Sequence, residues 1–307
     1  MRETFSEVAV LTIATDQRGR TALQAHSGVT AVPLGAPAAA RADILWRRAG
    51  TTAADVTDTL TRARGLRWVH TDTAGVDDLP LADLAARDIT LTKTSAYTDA
   101  VAEWIVTAVL IAAKGTPAYA EASRAGRWEP GVGAPRLISG TRALIVGNGA
   151  IGQTAGGALA AMEVHVSTVG SRAAAGWEAL LPGTDWLVLA CPLTERTHHL
   201  IGAAVLGALP AGAWLINAAR GQVVDEHALA AALDARRLGG AVLDTFAVEP
   251  LPADSPLWKR PTVVITPHDA WRASGAGRRQ AVDFLDQLHR YRSGQPLHRV
   301  VDAVAEY

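Results

Sequence analysis

An arginine, a glutamate and a histidine each follow an apolar run in the second half of the sequence. Arg220 comes after "WLIN", Glu249 after "GAVLDTF" and His268 after "TVVIT". A guanidinium can bind a carboxylate and polarise a carbonyl. An imidazole can give a proton to the carbonyl oxygen, or remove one in reverse, and a hydrogen-bonded carboxylate favours the protonated ring and fixes its orientation. The three residue types therefore suit hydride chemistry on an α-keto or α-hydroxy acid.

Each of these residues also has an ordinary structural interpretation. Arg220 could belong to a surface turn, Glu249 could be a common loop acid, and His268 could bond to a turn carbonyl. Ligands of an open parallel sheet bind beyond the carboxyl ends of its strands. Because all three residues follow such strand ends, beside a cofactor turn, we interpret them as one catalytic set.

That cofactor turn is the stretch "GNGAIG" at residues 147–152. Gly147 permits a tight turn, Gly149 lets the backbone approach a pyrophosphate, and Gly152 allows close packing of helix on strand. The helix that begins at Ala150 and Ile151 would point its free N–H groups at the phosphates. The alternative is a glycine-rich packing turn without a ligand, but the flanking strand and helix patterns favour dinucleotide binding.

The second strand of such a unit usually ends in an acid that holds the ribose 2′-hydroxyl of NAD, about 20 residues on. Here the strand ends Val169-Gly170-Ser171-Arg172, and Glu163 comes too early. Ser171 and Arg172 instead suit a 2′-phosphate, since a guanidinium matches phosphate oxygens. We predict a preference for NADP(H), with NAD possible if Arg172 is only a solvated loop residue.

Short apolar runs alternate with helix-compatible stretches from residue 143 onward, which predicts βαβ units and a parallel sheet. Six runs match a complete doubly wound dinucleotide-binding domain: 143–147, 163–169, 185–190, 213–218, 240–246 and 262–267. A weaker set of four runs precedes them, at 8–14, 43–46, 66–70 and 89–93. The glycine turn therefore lies in mid-chain because another α/β domain comes first.

The stretch "AVAEWIVTAVLIAA" at 100–113 predicts a buried helix, since it is apolar nearly all round. Thr98 or Asp99 could cap it. Its burial partner could be a second subunit or the rest of its own chain, and the sequence leaves both open.

Composition excludes several classes of protein. The chain has 307 residues, 49% of them hydrophobic, and a net charge of −1 without blocks of like charge, so we expect no nucleic-acid footprint. Its one cysteine, Cys191, forms no internal disulfide and indicates a reducing compartment. We see no metal-ligand spacing and no Ser or Cys nucleophile motif. We expect a soluble, cytoplasmic protein with no membrane partner.

Seven segments together resemble the D-isomer-specific 2-hydroxyacid dehydrogenase family, and most closely its NADP-dependent glyoxylate/hydroxypyruvate reductases. They occur in the family's order and cover nearly the whole chain: "LRWVHTDTAGVDDL", "AVAEW", "GNGAIG", "CPLTERTHHLI", "INAARGQVVDEHAL", "LDTFAVEPLPADSPLW" and "TPHDAW". The resemblance implies two doubly wound parallel-sheet domains. A Rossmann cofactor domain at 99–275 is inserted into a flavodoxin-like substrate domain at 1–98 and 276–307, with the substrate in the cleft between them. It also implies a homodimer through the cofactor domain.

The resemblance further assigns roles to individual residues. It gives Arg220, Glu249 and His268 the catalytic roles argued above. It places the backbone of Ala74, Gly75 and Val76, from "AGVD", at the substrate carboxylate. The remaining positions would contact the cofactor, with Asp244 at the nicotinamide amide and Ala218, Pro192 and Thr197 lining the site.

One departure and two alternatives stay open. Asp269 follows the histidine where the family has an apolar or small residue, and this carboxylate could alter the proton balance or face solvent. Trp271 could set the pocket size for a bulkier 2-keto acid, or simply pack. A corepressor-like module could use the same fold for dinucleotide-gated binding, and it would bind cofactor without turnover.

Overall fold

The computed structural model describes residues 11–48, 50–170 and 176–302. They form two compact units, of which the first runs to Ala96 and resumes at Ser274, and the second is Tyr97–Ala273. Each unit holds one parallel sheet with helices, which confirms the predicted fold class of two α/β domains. The assignment of the first unit to substrate and the second to cofactor, divided after residues 98 and 275, stays a prediction.

The first unit has a five-stranded sheet in the flavodoxin-like order β2-β1-β3-β4-β5. Its strands are β1 (Leu11–Thr15), β2 (Val29–Pro33), β3 (Ile44–Arg47), β4 (Trp68–Thr71) and β5 (Thr90–Lys93). Its helices are α1 (Gln17–Leu23), α2 (Ala53–Arg62), α3 (Leu81–Ala86) and, numbered in chain order after the second unit, α9 (Ala276–Arg292).

Helix α9 completes the core of the first unit. Its Phe284 is fully buried and stacks on Trp46 at 4.0 Å and on Trp68 at 5.5 Å between ring centroids. Stacked aromatic rings bury large apolar areas and have a preferred geometry. The chain therefore returns to its first sheet after it has formed the whole second unit.

The second unit has a six-stranded parallel sheet in the order β11-β10-β9-β8-β6-β7. Its strands are β6 (Arg142–Val146), β7 (His165–Val169), β8 (Trp186–Leu189), β9 (Trp214–Asn217), β10 (Gly240–Leu243) and β11 (Val263–Ile265). Its helices are α4 (Thr98–Ala113), α5 (Thr116–Arg124), α6 (Ala150–Ala161), α7 (Ala203–Ala208) and α8 (Glu226–Asp234).

Strand order in this sheet reverses beside β6, because the chain places β7 on one side of β6 and β8 on the other. Ligands of open α/β sheets bind at such a switch point, outside the carboxyl ends of the strands. Strands β8 and β10 are buried along their whole length, as their unbroken apolar runs predicted.

Strand β2 was missed from the sequence. It lies at the edge of the first sheet, only one of its five residues is buried, and it ends in Pro33. Edge strands tolerate proline, since the outer side of such a strand has no neighbouring strand to which it must donate hydrogen bonds. A half-exposed pattern of this kind carries little signal of burial.

Helix α4 begins at Thr98, close to the predicted stretch, and buries seven residues. It packs against α6, β9 and β10, all in its own unit. The predicted cap was wrong, since the N-cap is Tyr97, while Thr98 and Asp99 lie in the first turn. Among the described residues no single helix has the length and apolar character to cross a membrane. Only α4 with α5, bent by 67°, passes such a test as a pair.

Candidate active site

The structure brings His268 and Glu249 together. His268 follows β11, and its Nδ1 lies 2.8 Å from Oε2 of Glu249. The other carboxylate oxygen of Glu249 accepts the main-chain N–H of Phe246 at 2.9 Å, which anchors the acid. Both side chains keep more than a third of their surface exposed, so the pair remains accessible to a ligand.

Asp244 holds the histidine loop from the end of β10. Its buried carboxylate accepts the hydroxyl of Thr266 at 2.5 Å and the main-chain N–H groups of Asp269 and Ala270, each at 2.9 Å. Its main-chain carbonyl accepts the N–H of His268 at 2.8 Å. These contacts give Asp244 a supporting role, and its predicted contact with a nicotinamide amide stays a prediction.

Arg220 lies in the loop after β9, half-buried and with an extended backbone. Asn217, the last residue of β9, shapes this loop, because its side chain accepts from Ala219 N at 3.0 Å and donates to Arg220 O at 3.1 Å. The guanidinium donates to the carbonyl of Ala219 at 2.9 Å. The next residue, Gly221, approaches the neighbouring loop so closely that an added Cβ would lie 1.8 Å from the carbonyl carbon of Phe246.

The three predicted catalytic residues thus follow β9, β10 and β11, which are neighbours in the sheet. Because parallel strands end at one edge, their loops share that edge. The arginine loop contacts the loop of the glutamate, and the glutamate contacts the histidine.

The glycine turn has closed and open positions. A Cβ on Gly147, which has φ of 123°, would lie 2.3 Å from the carbonyl oxygen of Ala190, and one on Gly152 would lie 2.0 Å from that of Gly147. At Gly149, the N-cap of α6, an added Cβ would have no described residue within 4 Å other than its chain neighbours. The open space therefore lies at the N-terminus of α6, where free N–H groups suit a pyrophosphate.

Other predicted cofactor residues differ in accessibility. Ala150 is exposed, and Ile151, Pro192 and Ala218 are half-buried. Thr197 is fully buried and braces its loop, since its hydroxyl donates to the carbonyl of Pro192 at 2.7 Å. This burial argues against direct contact of Thr197 with a cofactor, which stays a prediction. Ser171 and Arg172 lie outside the described residues.

The predicted substrate segment Ala74-Gly75-Val76 belongs to the first unit, after β4. The hydroxyl of Thr73 donates to the carbonyl of Gly75 at 2.7 Å, and its oxygen lies 2.8 Å from the hydroxyl oxygen of Thr71. Ala74 is exposed, Gly75 is half-buried and Val76 is buried. These bonds order the loop, and its contact with a substrate carboxylate stays a prediction.

The structure also shows the surroundings of Asp269 and Cys191. Asp269 forms an ion pair with Arg272, with 2.9 Å between Oδ1 and Nε. Cys191 is buried, and burial raises the pKa of its thiol to about 11. A buried thiol of this kind stays protonated and unreactive. The described residues contain no group of three or more side chains able to hold a metal ion.

Sequence reasoning missed Asn217 and the supporting role of Asp244. Their signal was a polar residue at the end of a buried strand, directly before a catalytic loop. That signal shows a polar group near the site but not which backbone atoms it binds.

Comparison with known proteins decides the family. Residues 106–270, more than half of the chain, match the family model described as "D-isomer specific 2-hydroxyacid dehydrogenase, NAD binding domain". The chain belongs to the D-isomer specific 2-hydroxyacid dehydrogenases. It is therefore an oxidoreductase that uses a nicotinamide dinucleotide, as the glycine turn and the strand-end residues predicted.

Individual dehydrogenases of this family are similar along much of their length. Glyoxylate/hydroxypyruvate reductase B of Yersinia enterocolitica is 36% identical over 225 residues, which is 68% of this chain and 69% of that protein. The enzyme of Xanthobacter autotrophicus, solved with NADPH and MES, has a TM-score of 0.84 at 29% identity, covering 97% of this chain and all of that one. The NADPH-dependent glyoxylate/hydroxypyruvate reductase of Sinorhizobium meliloti, solved with NADP and sulfate, has a TM-score of 0.82 at 29% identity over the same shares.

Proposed function

We propose that this dehydrogenase reduces a small 2-keto acid, such as glyoxylate or hydroxypyruvate, to the (R)-2-hydroxy acid with NADPH. The observation that carries the proposal is the 2.8 Å contact between His268 and Glu249, on the same sheet edge as Arg220 and the glycine turn. The reductases of Yersinia and Sinorhizobium named above support the choice of substrate.

The side chains divide the work of reduction. Arg220 binds the substrate carboxylate and polarises the keto group, since a guanidinium offers several donors in a fixed plane. Glu249 accepts Nδ1–H of His268, which directs Nε2–H to the substrate. When bound, NADPH supplies the hydride for the carbonyl carbon. His268 gives its Nε2 proton to the carbonyl oxygen, and the products are the hydroxy acid and NADP.

The main-chain N–H groups of Ala74, Gly75 and Val76 are proposed to bind the substrate carboxylate as well. The bond from Thr73 to the carbonyl of Gly75 supports this role, because it fixes the backbone of the loop. Backbone donors held in this way act on an anion without further reorganisation.

A preference for NADP(H) is part of the proposal. Strand β7 ends at Val169 and is followed by Gly170-Ser171-Arg172, with no carboxylate for a ribose 2′-hydroxyl. The Xanthobacter and Sinorhizobium structures hold NADPH and NADP. Asp at position 172 would repel a 2′-phosphate, so Arg172→Asp should shift the preference toward NADH.

A matrix of NADPH and NADH against a panel of 2-keto acids tests the function. We expect the highest kcat/KM with NADPH and a two- or three-carbon keto acid. If the highest kcat/KM were found with a long or branched keto acid, the proposed substrate class would be wrong. Tight NADPH binding without turnover of any keto acid would indicate the corepressor-like alternative.

We also propose that the enzyme is a homodimer of the cytoplasm. Three apolar side chains between α5 and β6 support the dimer: Trp128 is 93% exposed, Leu137 75% and Val132 41%. Large apolar side chains exposed along one loop are candidates for burial against a partner subunit. A mass of one chain in sedimentation equilibrium would contradict the dimer.

The proposed location in the cytoplasm rests on the cysteine. The buried thiol of Cys191 forms no disulfide, which fits a reducing compartment.

A further inference from the structure

Trp271 contacts the catalytic histidine through its backbone. The indole Nε1–H donates to the main-chain carbonyl of His268 at 2.9 Å. Trp271 is half-buried, three residues beyond the histidine. The side chain thus closes a small loop onto the residue whose imidazole faces Glu249.

His268 needs such support because of its backbone conformation. Its φ is 55°, in the left-handed region that non-glycine residues rarely adopt. A conformation of this kind persists only when the surroundings hold it. Asp244 holds the N–H of His268, and Trp271 holds its carbonyl, so both sides of the residue are bonded.

The indole ring is itself held in place. Tyr97 packs edge-on against it, with 5.2 Å between centroids and 62° between planes. On the ring also lies the Arg272 guanidinium, 4.9 Å from the centroid. Arg272 in turn is paired with Asp269. This arrangement gives the unusual acid after His268 a place in the structure: it fixes the cation that covers Trp271.

We propose that Trp271 is a positioning residue, which fixes His268 for proton transfer through the indole N–H. The inference rests on the proposed role of His268 as proton donor. Without the N–H, the backbone of His268 can leave the left-handed region, and its Nδ1 contact with Glu249 loosens. The charge of Glu249 then supports the protonated imidazole less, and the proton is less well aimed.

The variant Trp271→Phe removes the N–H and keeps an aromatic ring. We expect kcat for NADPH-dependent keto acid reduction to fall about tenfold, the size of one net hydrogen bond. The KM values for keto acid and NADPH should change little. The pH at which kcat falls off at the basic side should move lower, and in a Glu249→Gln background Trp271→Phe should add little further shift.

The matched control is Trp258→Phe. Trp258 also donates its Nε1–H to a main-chain carbonyl, that of Pro252 at 2.9 Å, and it is 51% exposed. It lies before β11, whereas His268 follows that strand, so wild-type kinetics are expected. Arg272→Ala is a second test variant on an exposed side chain. It uncovers the indole without removing the N–H and should lower kcat in the same direction, by less.

Wild-type kcat and an unchanged pH profile in Trp271→Phe would overturn the inference. A change confined to the KM of larger keto acids would also overturn it and assign Trp271 to the pocket wall. His268→Gln, assayed in parallel, separates this from failure of the proposed function. If His268→Gln kept full activity, the proton-donor role itself would fall, whatever Trp271→Phe showed.

Discussion

At the scale of single residues, the bond between His268 and Glu249 explains why residue 249 is a glutamate rather than a glutamine. One carboxylate oxygen of Glu249 accepts the main-chain N–H of Phe246. This bond fixes the carboxylate, and its other oxygen contacts the imidazole of His268. Both groups are accessible to solvent, and a carboxylate attracts a protonated imidazole through its charge. The charge of the acid is therefore its functional property.

The variant Glu249→Gln tests that property, because it keeps the shape of the side chain and removes the charge. Reduction needs the protonated imidazole, so activity falls as the pH rises and the proton is lost. Without the carboxylate this fall should begin at lower pH, while activity at acidic pH is largely kept. The measurement is kcat/KM for NADPH-dependent reduction as a function of pH.

A matched control is Glu226→Gln. The carboxylate of Glu226 accepts the main-chain N–H of Ala247 at 2.7 Å, one residue beyond the N–H that Glu249 accepts. It should leave the basic side of the profile unchanged. Equal profiles for wild type and Glu249→Gln would mean that Glu249 has no charge-dependent role.

The sequence predicted the residue types of the site but not the contacts that aim them. His268 and Glu249 could be paired because each follows a buried strand, and adjacent strand ends meet. The tasks of Asn217, Asp244 and Trp271 depend on which backbone atoms approach them in space. Side-chain type and spacing carry no record of those atoms.

At the scale of elements, the turn into α6 separates glycines that the fold needs from one that a ligand needs. Gly147 and Gly152 are each closed in by backbone. Gly149 has an ordinary φ of −83°, and an added Cβ would have no described residue within 4 Å other than its chain neighbours. The absence of a side chain there serves neither a special backbone conformation nor packing, and this favours room for a pyrophosphate.

Gly149→Ala is therefore predicted to weaken cofactor binding and leave the fold intact. The KM for NADPH should rise about tenfold, which corresponds to about 1.4 kcal/mol of binding free energy. The free energy of unfolding without cofactor should change by less than about 1 kcal/mol. Gly157→Ala is the control, because Gly157 also has open space in the described structure but lies within α6. A normal KM for NADPH in Gly149→Ala would argue against phosphate binding at this turn.

Elements were predicted best where burial is uniform. The runs that became β8 and β10 are apolar throughout, so both their existence and their place in a parallel sheet followed from the sequence. Strand β2 was missed because it is an edge strand, and the cap of α4 was wrong because Tyr97 uses no side-chain hydrogen bond there. Helix ends of that kind have no residue signature.

At the scale of the whole molecule, two buried groups in the first unit have shifted pKa values that link its stability to pH. Burial, followed by the charge of Arg299, lowers the pKa of His70 to about 3. Burial also raises the pKa of Asp72 to about 6, against the hydrogen bond from Trp46 and the charge of Arg48. His70 Nε2 lies 3.9 Å from Asp72 Oδ1.

These two shifts act in opposite directions between about pH 6 and about pH 4. As the pH falls, the unfolded chain protonates His70 while the folded chain does not, so stability is lost. Over the same window the folded chain protonates Asp72 while the unfolded chain does not, so stability is gained. Each effect has a limiting slope of about 1.4 kcal/mol per pH unit, and we expect the two to offset.

Single variants expose each effect separately. In His70→Gln the free energy of unfolding should rise, relative to wild type, as the pH is lowered from about 6 to about 4. In Asp72→Asn it should fall over that window. Urea unfolding followed by circular dichroism measures both, with His26→Gln, an exposed site in the same unit, as control. Parallel stability profiles for all four proteins would contradict this account.

The plan of the whole molecule was largely predictable. The two sets of apolar runs, one with a glycine turn and one without, predicted two α/β units. In each set the runs alternate with helix-compatible stretches, as the strands and helices of a parallel α/β sheet do. The seating of Phe284 on Trp46 and Trp68 could not be predicted, since it joins residues more than two hundred positions apart. Pattern alone does not record such long-range contacts.

The most direct test of the central claim is NADPH oxidation with glyoxylate by wild type and His268→Gln, at equal saturation with cofactor. We predict that wild type turns over and that kcat in the variant falls by about 10²–10⁴-fold, with the Kd for NADPH unchanged. A variant that oxidises NADPH at the wild-type rate would contradict the assignment of His268 as proton donor, and with it the proposed mechanism.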